Sequence, residues 1–128
     1  MPAMLNLRPL RALLLCLPLL SATPAFAVDP PYETEMERLS EVLGSLYFLA
    51  PLCRPADKAD WRAEMADLIT LDQPDDDRKQ RLTGAFNAGY GAYARLYRTC
   101  TVSAAEALTR LLVEAEKTAR EIHARYAE

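Results

Sequence analysis

Histidine occurs once in this 128-residue chain, tryptophan once and cysteine three times, at positions 16, 53 and 100. No C-x-x-C or C-x-x-C-H segment exists, which argues against a thioredoxin-like redox pair and against covalent haem. Zinc needs several nitrogen, sulfur or carboxylate ligands at close spacing, and His123 stands alone on a charged terminal stretch. The acidic run Asp75, Asp76, Asp77 lacks the alternating oxygen ligands, turn glycine and closing glutamate of a calcium loop. Ser40, Ser45 and Ser103 have no oriented base beside them in sequence. No basic stripe is present for nucleic acid, and no polybasic patch for anionic lipid. Internal repeats and low-complexity tracts are also missing. We therefore assign no catalytic residue, no metal and no cofactor.

The longest apolar run, Ala12 to Leu20, falls well short of the roughly 20 residues that span a bilayer. It follows Arg8 and Arg11 and precedes Ala25-Phe26-Ala27. That order, basic, apolar, then small-x-small, predicts a secretory signal over 1–27, cleaved after Ala27. Cys16 follows Leu13-Leu14-Leu15, the wrong context for lipidation, and leaves with the signal. Every acidic residue lies beyond position 27, so the formal charge of −3 becomes about −5 in the exported chain. The remainder, 28–128, is sized for a single helical domain with one modest core. Stable membrane insertion is not expected of it, and the sequence leaves its oligomeric state open.

Four helices follow from the periodicity. Val28 to Pro31 is an extended lead, kept out of the helix by two prolines. A first helix runs from about Tyr32 to Ala50, with Met36, Leu39, Leu43, Leu46 and Ala50 on one stripe, and is ended by Pro51 and Pro55. A second starts near Asp57, buries Trp61, Met65, Leu68 and Ile69, and stops before Leu71, because Pro74 pushes Gln73 out of helical geometry. The aspartate run opens a third helix, which continues to about Thr99 although Gly84, Gly89 and Gly91 each cost it about 1 kcal/mol. Ser103 with Glu106 forms a capping box for the fourth. Its inner face carries Leu108, Leu111, Leu112, Ala115, Ala119, Ile122 and Tyr126. Glu106–Arg110, Glu116–Arg120 and Glu121–Arg125 are expected ion pairs on its outer face. The fold class is all-α, an antiparallel up-down four-helix bundle.

In that topology the ends of the first and third helices meet at one pole, so Cys53 and Cys100 are placed to form a disulfide. Closing a loop of about 48 residues is worth roughly 4 kcal/mol of denatured-state entropy.

On the third helix Leu82, Phe86, Tyr90, Tyr93, Tyr97 and Cys100 fall within one narrow arc, while Ala85, Ala88, Gly89 and Ala92 lie on the neighbouring flank. Small residues there let a second helix approach closely and offset the glycine cost. The aromatics have two readings. One is ordinary core, with buried rings and hydroxyls that reach a partner or water. The other is a ligand or partner groove lined by Tyr47, Phe86, Tyr90, Tyr93 and Tyr97, with Asn87 or Arg95 at its edge.

Tyr32-Glu33, Leu39-Ser40-Glu41-Val42-Leu43-Gly44, Leu52-Cys53, Trp61-Arg62 and the stretch Phe86-Asn87-Ala88-Gly89-Tyr90, with Tyr93, Tyr97 and Cys100-Thr101, carry a resemblance across nearly the whole exported chain. The sequence resembles a family of small exported alphaproteobacterial proteins classed as domain of unknown function 2385. That resemblance implies an export compartment and cysteine pairing, and no activity, substrate or cofactor. Three functional classes stay open: an interaction or structural module of the cell envelope with a protein partner, a carrier of a small ligand or peptide, and a small envelope enzyme. The first is favoured by small size and missing chemistry.

Overall fold

A computed structural model describes residues 28–126 of the chain. The expected signal segment and Cys16 lie outside the described residues. Four helices follow the extended lead: α1 (Glu33–Cys53), α2 (Trp61–Asp72), α3 (Asp76–Ala94) and α4 (Val102–Tyr126).

α1 is a hub rather than one corner of a square. Its expected stripe, Met36, Leu39, Leu43, Leu46 and Ala50, is buried throughout, but so are Ser40, Val42, Gly44, Ser45 and Leu49. A helix covered on so much of its circumference must be packed from several sides, and α2, α3 and α4 each lie against it. Val42, Leu46, Leu49 and Ala50 form one core cluster with Ala104, Ala107, Leu108 and Leu111 of α4. Met36, Leu39 and Leu43 form a second with Met65 of α2 and Leu82 of α3. Trp61 is half-buried and touches both clusters.

Contacts along α1 give each neighbour its order. Tyr32 bonds Asp72, whereas Ala50 and Trp61 border one hollow. Glu35 pairs with Arg125, whereas Ala50 packs with Ala104. Glu33 meets Arg78 and Tyr47 meets Tyr90.

The α1–α3 contact is the tightest in the fold, and glycine makes it so. A methyl group at Gly44 would lie 2.7 Å from the carbonyl carbon of Phe86, and one at Gly89 would lie 2.8 Å from the carbonyl carbon of Glu41. Ordinary carbon contacts are about 3.5–4.0 Å, so two backbones touch where no side chain fits. Gly89 accordingly earns its place by close approach. Gly84 faces open space and Gly91 has nothing nearer than a guanidinium nitrogen of Arg95 at 3.8 Å, so the expected compensation applies to one glycine of the three.

Several element ends differ from expectation. α1 continues through Pro51 to Cys53, with the Arg54 N–H donating to the Ala50 carbonyl at 2.7 Å. Proline in the final turn removes one hydrogen bond only, because no further turns follow. Asp60 caps α2 by accepting from the N–H groups of Arg62 and Ala63, and α2 runs on through Leu71 and Asp72. Its stop is Gln73, left-handed at φ 49°, one of the standard ways of closing a helix. Only Met65 of α2 is fully buried; Trp61, Leu68 and Ile69 are half-exposed. α3 begins as expected, with Asp75 accepting from the Arg78 N–H at 2.8 Å, but ends at Ala94. Beyond it, the Leu96 and Tyr97 N–H groups both donate to the Tyr93 carbonyl, a tightened last turn. α4 is capped by Thr101 instead of Ser103: the Thr101 hydroxyl accepts from the Ala104 N–H at 3.1 Å. A hydroxyl two positions earlier reaches the free amides first, so the Ser103–Glu106 box is unused. Full burial on α4 reaches Thr118, whereas Ala119 is exposed, Ile122 half-buried and Tyr126 69% exposed. Glu116–Arg120 forms at 2.6 Å, while Arg125 reaches across to Glu35 at 2.8 Å and Glu121 meets Lys117 at 3.9 Å. No Glu106–Arg110 pair forms among the described residues.

Candidate functional site

Two fastenings hold α3 to α1, one at each pole. At the Cys pole, Cys53 and Cys100 lie at disulfide distance with Cα atoms 5.0 Å apart, and Cys100 is exposed. At the other pole Arg78, 8% exposed, donates from Nε to Glu33 at 2.7 Å and from Nη2 to Asp72 at 2.7 Å. Burial works against the Arg78 charge, but the hydrogen bonds to Glu33 and Asp72 outweigh it and hold the guanidinium pKa above its ordinary value. Arg81 joins Asp29, Glu33, Glu37 and Asp77. Tyr32 donates to Asp72 at 2.9 Å; burial first, and that bond second, raise its phenol pKa. Both Arg78-bound carboxylates face a cation at bonding distance, so this cluster is a staple rather than a reservoir of free bases. The sequence reading missed it, since the Tyr32–Asp72 and Glu33–Arg78 bonds join residues 40 and 45 positions apart.

Between the fastenings runs a groove. α2 is short and packs mainly on α1, which leaves a cleft of about 570 Å³ between it and α3. Tyr47 of α1, Met65 and Ile69 of α2, and Phe86, Asn87 and Tyr90 of α3 line it. The rings form a continuous set: Tyr47 lies 5.8 Å from Phe86 and 5.6 Å from Tyr90, and Phe48 meets Tyr90 edge-on at 5.5 Å. Aromatic neighbours at these distances attract one another and keep a fixed shape. Tyr90 is 40% exposed, so the set is neither dry core nor loose surface. A second hollow, lined by Phe48, Pro51 and Leu52, shares Tyr47 and Tyr90 and extends the groove toward the Cys pole. A third shares Tyr47 and is bordered by Trp61. The indole Nε1 of Trp61 is buried without a hydrogen-bond partner.

The seven residues expected to line one groove fall into three groups. Tyr47, Phe86, Asn87 and Tyr90 come together. Tyr93 and Tyr97 stack on each other, centroids 6.3 Å apart and 15° between planes, and pack against the α1–α4 core cluster. Arg95 is exposed just beyond α3 and does not line the groove. The reason is geometric: three residues beyond Tyr90 the helix has turned about 60° short of a full revolution, and α3 ends before Tyr97, which leaves its course. The α2 wall was legible but unread. Arg62, Met65, Ala66 and Ile69 stand at i, i+3, i+4 and i+7, one helical face.

The family described as Protein of unknown function (DUF2385) matches residues 31–126. The chain belongs to that family. No curated protein and no solved structure matches the chain. The DUF2385 match takes in Cys53 and Cys100, the α1–α3 glycine contact and every residue of the α2–α3 groove.

Proposed function

We propose that this DUF2385 protein is an exported, periplasmic, disulfide-closed helical module of the bacterial cell envelope that binds a protein partner through the α2–α3 groove and performs no chemistry of its own. The observation that carries this reading is the aromatic groove itself: four rings in contact, half-exposed, on a wall fastened at both ends. Aromatic clusters of this kind are the usual anchors of interfaces. Export is supported by the leader-like start of the chain and by a cysteine pair that an oxidising compartment keeps closed. We read the four helices as an antiparallel up-down course, supported by the order of contacts along α1.

A photo-crosslinking phenylalanine analogue at Tyr90, introduced in the producing cells, should yield one discrete adduct with a partner, while the same analogue at Thr109 on α4 should not. Equal adducts at both positions, or none at Tyr90, would remove the groove as a partner site. Amino-terminal sequencing of the protein from the periplasmic fraction should begin at Val28; an intact leader or a cytoplasmic location would overturn export. A small-ligand carrier is the second reading, favoured by a cleft volume of about 570 Å³, within the range of ligand pockets. Native mass spectrometry of gently purified protein tests it by a bound mass.

A further inference from the structure

We infer that the occupant of the α2–α3 groove is an acidic amphipathic helix of the partner, with apolar side chains against Met65, Ile69, Phe86 and Tyr90 and carboxylates against Arg62 and Lys79. The inference rests on the groove being the partner site and adds the chemistry of what enters it. Acidic residues outnumber basic ones in the chain, 18 to 15, yet the charged side chains lining this groove are Arg62 and Lys79. Both are exposed, and neither enters an ion pair among the described residues. Asp75, one turn before Lys79, is committed to the Arg78 N–H.

The two cations mark opposite ends of the groove. Arg62 follows Trp61, which borders a hollow with Tyr47, and Tyr47 lies 5.6 Å from Tyr90. Lys79 follows Arg78, which binds Asp72 at the far end of α2. From Lys79 to Tyr90, α3 rises roughly 16 Å, about three turns. A helix laid in the groove thus presents about three turns of apolar face between two carboxylate positions, the helix-in-groove mode of recognition. Opposite charge at the rim sets orientation and speeds encounter.

Trp61 is the single tryptophan of the chain and reports on binding by fluorescence. The purified, oxidised protein is titrated with three synthetic helical peptides that share one leucine and alanine face and carry glutamate, glutamine or lysine at the polar positions. Two solvent-facing charge pairs should make the glutamate peptide bind about tenfold more tightly than the glutamine peptide, with lysine weakest and added salt erasing the order. Replacing both Arg62→Gln and Lys79→Gln should abolish the preference, so that the glutamate and glutamine peptides bind that variant equally. Tyr90→Ala should weaken all three.

Equal affinity for the three peptides with sensitivity to Tyr90→Ala would overturn the acidic occupant and leave the groove reading standing. Insensitivity of every peptide to Tyr90→Ala would overturn both. Saturable binding of palmitate without peptide binding would replace the inference with a lipid carrier. Self-association that Tyr90→Ala abolishes, without peptide binding, would assign the groove to a second copy of the chain.

Discussion

Gly89→Ala should destabilise this protein, although in an isolated helix the same change is favourable by about 1 kcal/mol. The new methyl group would lie 2.8 Å from both the carbonyl carbon of Glu41 and the Ser45 Oγ, and ordinary contact is about 3.5–4.0 Å. The closest clash is with the Glu41 carbonyl oxygen, so relief requires the two helices to separate by more than about 1 Å, because the obstruction is backbone and has no rotamer to change. Overpacking of this kind costs about 1–3 kcal/mol, and here the upper end applies, so the net loss after the propensity gain is about 2 kcal/mol. Gly84→Ala is the internal control. Its methyl group meets nothing within 4 Å, and its stability should rise by about 0.5–1 kcal/mol. In urea unfolding of the oxidised protein, read by helical circular dichroism, the two midpoints should move in opposite directions with an unchanged slope. The thermal midpoint of Gly89→Ala should fall by roughly 10 °C. If Gly89→Ala stabilised the protein as Gly84→Ala does, the close α1–α3 contact would be refuted.

Cys53→Ser should lower stability by roughly 4 kcal/mol under oxidising conditions, since 47 residues separate the pair, and have little effect once dithiothreitol has reduced the parent; equal oxidised melting points would refute the crosslink. Arg78→Met should cost about 3–5 kcal/mol, because it strands the Glu33 and Asp72 carboxylates in a buried site, and a loss under 1 kcal/mol in denaturant would mean that the site is wet. The raised Tyr32 pKa means that the folded state holds this proton more tightly than the unfolded chain. Its contribution is therefore complete below the ordinary phenol value of about 10 and is lost as pH climbs through the raised value. The melting temperature of Tyr32→Phe should fall less steeply than that of the parent above about pH 10, and parallel curves would refute the linkage.

How much of this is legible in the sequence follows from the range of the forces involved. Helix existence is local, and the 3.6-residue spacing of Met36, Leu39, Leu43 and Leu46 predicted burial that α1 delivers. The hub was not legible, because Ser40, Gly44 and Ser45 read as polar or neutral on a helical wheel. They are buried by being small: Ser40 and Ser45 turn their hydroxyls onto the Met36 and Glu41 carbonyls of their own helix. The Cys53–Cys100 juxtaposition followed from topology, while the Arg78 staple did not, since no local pattern links Glu33, Asp72 and Arg78. For the groove, Tyr47 and Tyr90 were legible as aromatics at helical spacing. Tyr93 and Tyr97 do not join it: Tyr93 sits about 60° around α3 from Tyr90, and Tyr97 lies beyond the end of α3 at Ala94.

The groove and the glycine contact are one structural fact seen from two sides. Where backbones of α1 and α3 meet at Gly44 and Gly89, no ring fits between them, so Phe86 and Tyr90 are displaced to the flank and line the cleft instead of filling a core. α2 does not cover them, because it is twelve residues long and packs on α1 through Met65 with Trp61, Leu68 and Ile69 only half-buried. Larger residues at 44 and 89 would widen the interhelical space and draw the rings inward, closing the groove as they did so. Two glycines at one helix contact therefore control this exposed aromatic surface, and the fastenings at both poles keep α3 from sliding while that surface is occupied.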